Sequence, residues 1–104
     1  MFAEAEGSGG KRGRVFGNLG LTERAFLRIS EVVVVQNSHV HREEYAYYLI
    51  VDGEEFWGYE RDLSHDPAVH RHVGPGHDRH PAERVTFQEV VDLAWEEVSK
   101  LEEE

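Results

Sequence analysis

The sequence predicts an α+β fold: a small antiparallel sheet of three to five strands, with a C-terminal amphipathic helix packed on one face. Three observations carry this expectation. Phe26–Gln36 is a β-branched run, Asp52-Gly53 sits between two aromatic-rich runs, and the last nineteen residues repeat apolar side chains at helical steps.

Residues 1–10 hold a Gly-Ser-Gly-Gly stretch with no core-forming side chains and are expected to be disordered. With Lys11, Arg12 and Arg14 they make a disordered, basic N-terminal arm over 1–14, and a single α+β domain is expected over 15–104. The arm reads as a solubilising terminus, with a phosphate or acidic-partner contact as the alternative. A short strand near Arg14–Phe16 is weakly signalled.

Within Phe26–Gln36, four consecutive Val favour a strand, because branching at Cβ suits the pleat. Tyr45–Val51 and Glu54–Arg61 flank Asp-Gly, which predicts a two-residue hairpin turn of type I′. That turn sets Tyr48 opposite Trp57, Leu49 opposite Phe56, Ala46 opposite Tyr59 and Glu44 opposite Arg61. Alternation then places Tyr48, Trp57 and Tyr59 on one face, with Tyr45, Tyr47 and Phe56 on the other. The helix can cover only one of these faces. The uncovered face is expected either to stack bases or to form a homodimer interface.

Thr86 and Glu89 form a capping box at the start of the terminal segment. Phe87, Val90, Val91, Ala94, Trp95, Val98 and Leu101 make one apolar stripe beyond it. A chain of this size needs that stripe for its own core.

The 104 residues provide for one domain, and 39% of them are apolar. A formal charge of −10 argues against a general nucleic-acid coat. The acidity is uneven: from Thr86 onward there are seven acids and one Lys. A local anion site elsewhere is therefore compatible with the composition. The lack of Cys excludes disulfides and thiol nucleophiles. No apolar run reaches the roughly 18 residues of a membrane span, so no membrane association is expected and the expected location is the cytoplasm. No phosphate loop, nucleophile elbow or His-Glu-x-x-His element is present.

The chemistry-bearing stretch is Ser64–Pro81, read as a long loop punctuated by Pro and Gly. It carries His65, His70, His72, His77 and His80, with Asp66, Arg71, Asp78 and Arg79; His39 and His41 form a second pair. Imidazole titrates near neutrality, so one His can accept a proton while another donates one. An Arg beside them neutralises a phosphate. This combination suffices for metal-independent RNA cleavage, with His70 and His72 as acid and base and Arg61 (or Arg79) on the phosphate. His65 or His41 would assist. In extended geometry both His of His70-Arg71-His72 point to one face and Arg71 to the other. The alternative is a divalent transition-metal site with His70, His72, His65 and Asp62 as candidate ligands. No cofactor is expected otherwise. The bland alternative is a set of solvated loop histidines. A further one is a non-enzymatic protein-binding module using the aromatic face or the acidic helix.

Tyr59-Glu60-Arg61-Asp62, then His70-Arg71-His72, then the helix from Thr86 resemble the TumE-type small toxins of prokaryotic toxin–antitoxin pairs. In that family an Arg/Tyr/Asp-rich strand end precedes a His-x-His element and a C-terminal helix. The resemblance spans residues 44–100. It implies a toxin neutralised by a neighbouring helix-turn-helix antitoxin, with RNA as its target.

Overall fold

Two tight turns organise the sheet, and both rest on consecutive residues with positive φ. Asp52 and Gly53 lie at φ 51° and 81°, the type I′ geometry expected of Asp-Gly. Asn37 and Ser38 lie at 49° and 65° and make a second turn of the same kind. This turn carries a weaker sequence signal, because Ser, not Gly, holds its second position.

The computed structural model describes residues 11–64, 68–74 and 78–102. The strands are β1 (Lys11–Gly20), β2 (Ala25–Gln36), β3 (His39–Val51), β4 (Glu54–Arg61), β5 (Val69–Val73) and β6 (Asp78–Pro81), followed by helix α1 (Phe87–Glu102). They form one six-stranded antiparallel sheet in the order of the chain. The strand count thus exceeds the expected three to five. The excess comes from the two edges of the sheet. β1 begins at Lys11 and pairs along its whole length with β2, so Lys11, Arg12 and Arg14 belong to the sheet and not to an arm. The segment read as a long loop supplies β5 and β6. The disorder expected for residues 1–10 falls outside the described residues.

The helix start is as the sequence requires. The Thr86 backbone N–H donates to Glu89 Oε1 at 2.9 Å, and the Glu89 N–H donates to Thr86 Oγ1 at 3.1 Å. Val90, Ala94 and Val98 are buried against Ala25, Leu27, Tyr45, Tyr47, Leu49 and Trp57. Phe87 touches the Tyr47 ring at 5.7 Å between centroids. Trp95, expected on the stripe, is 45% exposed. The buried row runs in four-residue steps through Val90, Ala94 and Val98, and Trp95 lies at its edge.

The hairpin register differs from expectation by one residue. Ile50 pairs with Glu55, but Leu49 pairs with Trp57, so Phe56 is an extra residue on β4. A second shift sets Val32 against Glu44 and Val33 against Arg42, leaving Glu43 as the extra residue on β3. The Phe56 bulge moves Trp57 onto the helix side, beside Leu49, and leaves Phe56 39% exposed. Tyr45, Tyr47, Trp57 and Tyr59 therefore share the helix-covered face, and the expected division of the aromatics does not hold. Tyr48 keeps the other face, now opposite Gly58 and without Trp57 and Tyr59.

Candidate functional site

The β4–β5 pairing assembles the site, and the one-residue shift on β4 sets it facing Tyr48. On the face away from the helix, the register aligns Tyr48, Gly58 and His72 in one row and Ala46, Glu60 and His70 in the next. Directly opposed residues on paired strands point the same way. Had β4 run without its bulge, Glu60 and its β5 partner His70 would both have faced the helix, away from Tyr48.

Gly58 carries no side chain, and the space it leaves is used. A Cβ on Gly58 would stand 2.2 Å from Tyr48 Cδ1, so the Tyr48 ring lies across the glycine. It meets His72 edge-on, at 6.0 Å between centroids. The Tyr48 hydroxyl donates to Glu60 Oε1. The other carboxylate oxygen, Oε2, lies 2.7 Å from His70 Nε2 and 2.8 Å from His72 Nε2. The two imidazoles stack 4.9 Å apart at 20°. His70 is 0% exposed and His72 8%. His72 Nδ1 lies 4.0 Å from Glu55 Oε2. Burial, and then the hydrogen bond to Glu60, pushes the Tyr48 phenol well above its ordinary range. Tyr48 thus stays a neutral donor.

A cleft of about 400 Å³ adjoins this cluster. Glu60 forms part of its wall, with Arg14, Ser30, Glu44, Arg61, Asp62 and Ser64. Arg61 Nη1 donates to the Glu43 carbonyl at the β3 bulge, which fixes the guanidinium at the cleft. Arg14 is exposed on the same wall, and among the described residues it has no ion-pair partner. Asp62 Oδ1 accepts from the Ser64 N–H at 2.9 Å and from its hydroxyl at 2.6 Å, closing the turn after β4.

The structure therefore brings His70 and His72 together on Glu60, and Arg61 lines the same cleft as that carboxylate. It does not bring His41 there. His41 is exposed near the start of β3, 6.4 Å from the His39 ring. It lies five residues along the strand from Ala46, which is about 17 Å at 3.4 Å per residue. Asp62, a candidate ligand, is not among the converging donors; Glu60 takes that place. His65 and the side chain of Arg79 lie outside the described residues. Sequence reading missed Glu60 and Tyr48 as site residues. The signal for Glu60 was its place ten residues before His70, legible only once Val69–Val73 is known to be a strand paired with β4. Arg71 points to the opposite face, as alternation requires, where it lines a groove beside α1.

The architecture is a six-stranded meander crossed by one helix, with a buried carboxylate–bis-imidazole cluster opening on an arginine-lined cleft. Comparison with family models matches residues 2–102 to Toxin TumE. The chain belongs to that family of toxins from toxin–antitoxin systems, and an antitoxin partner follows in general terms from that membership. Comparison with curated proteins and with solved structures gives no match. Among the described residues no helix is long and apolar enough to cross a membrane.

Proposed function

We propose that this toxin cleaves RNA by proton transfer at the Glu60–His70–His72 cluster, with the scissile phosphate held in the adjoining cleft by Arg61 and Arg14. The observation that carries the reading is the convergence of both imidazole Nε2 atoms on Glu60 Oε2, because Glu60 also lines the cleft. The imidazoles are buried, so Glu60 is the member placed to meet substrate. As the 2′-oxygen attacks phosphorus, its proton passes to the Glu60–imidazole set. The bond to the 5′-oxygen breaks, and a proton from the same set goes to that leaving oxygen. The products are a 2′,3′-cyclic phosphate and a 5′-hydroxyl, with no net change in the protons on the protein. The guanidinium groups offset charge that grows on the phosphate in the transition state.

The test is incubation of the tag-free protein with structured and single-stranded RNA in EDTA, beside His72→Ala, Glu60→Gln and Arg61→Ala. His70 is wholly enclosed, so His70→Ala enters only if its circular dichroism is native. Loss of about a hundredfold or more in Glu60→Gln and His72→Ala is expected. Equal cleavage by all of these removes the cluster from the mechanism.

A second reading, a protein-binding surface, is favoured by the groove of about 610 Å³ between α1 and β4–β5. Trp57, Tyr59, Val73 and Leu93 line it, and Glu54, Glu96 and Glu97 rim it. Such a rim suits a basic segment of a helix-turn-helix antitoxin. Binding of that antitoxin by wild type but not by Leu93→Glu supports this reading, and equal binding removes it.

A further inference from the structure

We infer that Glu60, His70 and His72 form a binding site for one divalent transition metal of the zinc class. The inference uses the same cluster as the proposed function, but it does not depend on RNA cleavage.

Three donor atoms from three side chains lie within 4.8 Å of one another. They are two imidazole nitrogens and one carboxylate oxygen, a donor set that suits zinc and its neighbours. At the usual 2.0–2.1 Å metal–ligand distances, tetrahedral coordination separates its donors by about 3.3 Å. The 2.7 and 2.8 Å separations now seen between Glu60 and the two nitrogens need to open by only about half an ångström.

The scaffold provides that geometry without loop closure. His-x-His on β5 presents both rings to one side, and β4 supplies the carboxylate from the paired strand. A metal site also requires groups that hold its ligands; one is in hydrogen-bond contact and a second stands close by. Tyr48 donates to the carboxylate oxygen that faces away from the imidazoles. Glu55 stands beyond His72, near its Nδ1, on the side opposite the metal position. A carboxylate that accepts from a ligating His fixes its tautomer and raises its basicity; Glu55 would close by about 1 Å to do so.

The proton balance is also favourable. A neutral imidazole bearing its proton on Nε2 moves it to Nδ1 on metal binding, with no net release. For His72, Glu55 Oε2 lies 4.0 Å from that nitrogen. Three protein ligands leave a fourth position for water or substrate. Metal loading and metal-free proton transfer exclude one another, since the metal takes the nitrogen lone pairs that the proton chemistry uses.

The experiment uses the full chain, purified without an affinity tag and stripped with EDTA. Zn2+ is added, excess is removed by gel filtration, and bound metal is measured by elemental analysis. Co2+ absorption serves as a second probe of tetrahedral coordination, and melting is followed with and without each metal. One ion per chain and a melting temperature raised by Zn2+ and restored by EDTA are expected. Glu60→Gln, which keeps the size of the side chain, should weaken binding by more than about tenfold, and Tyr48→Phe by about 10–100-fold. The exposed His39→Ala/His41→Ala variant should bind as wild type does.

Absence of stoichiometric metal with an unmoved melting temperature overturns the inference. So does binding that survives Glu60→Gln and disappears in the His39/His41 variant. An RNA assay on the same samples separates the two claims. Cleavage in EDTA that Zn2+ suppresses supports both. Cleavage that requires metal supports the metal site and overturns the metal-free mechanism. Cleavage in EDTA by protein that binds no metal overturns the metal site alone.

Discussion

Gly58 lies directly across the sheet from Tyr48, and the Tyr48 ring occupies the volume that any Cβ at position 58 would need. Gly58→Ala would force the ring away from Glu60 and His72. The expected outcome is a loss of about 1–3 kcal/mol of stability, the usual range for overpacking, read from urea unfolding. Near-UV circular dichroism should change with it, because Tyr48 leaves its packed position. An unchanged midpoint and spectrum would show that the ring does not depend on this glycine.

Glu60 holds two buried imidazoles and a phenol at once. Removing it by Glu60→Ala leaves His70 and Tyr48 without their acceptor and His72 without its neighbouring carboxylate, at an expected cost of about 3 kcal/mol. Glu60→Gln keeps one oxygen for hydrogen bonding and should cost less. Equilibrium denaturation of both variants orders them; a Gln variant less stable than the Ala variant would contradict this account.

The two type I′ turns respond oppositely to glycine chemistry. Ser38 holds φ 65° with a side chain, so Ser38→Gly should stabilise the protein by about 0.5–1 kcal/mol. Gly53 holds φ 81°, and a methyl group there would meet nothing within 4 Å, so Gly53→Ala should destabilise through backbone strain alone. Thermal melting of the pair checks both signs.

Tyr47 is wholly buried; its hydroxyl donates to Glu31 and accepts from Arg42 Nη1 at 2.8 Å. Burial, then the Glu31 carboxylate, pushes its phenol up from an ordinary value near 10. The unfolded chain therefore loses this proton at lower pH than the folded one. The associated stability is fully present below pH about 10 and is lost as pH rises from there toward the folded value. Urea midpoints measured from pH 9 to 11 should fall for wild type and fall less steeply for Tyr47→Phe. Parallel curves would remove Tyr47 from the alkaline transition.

Thr86 caps α1 through the Glu89 N–H. Thr86→Ala should cost about 1 kcal/mol, with helix content measured by far-UV circular dichroism intact at low temperature.

The sequence by itself determined the features set by neighbours along the chain. Asp52-Gly53 could turn in only a few ways, Thr86 and Glu89 are three residues apart, and alternation alone puts His70 and His72 on one side of a strand and Arg71 on the other. The TumE likeness was legible for the same reason, since its elements follow one another in order. The site itself was not legible. Whether Trp57 or Phe56 takes the place beside Leu49 is decided by competition for the volume under α1, a packing question between residues far apart in sequence. The core takes Trp57, the strand absorbs Phe56 as a bulge, and every later residue of β4 changes face. That non-local choice, absent from any local pattern, set Glu60 and the imidazoles paired with it on the face of Tyr48 and not under the helix.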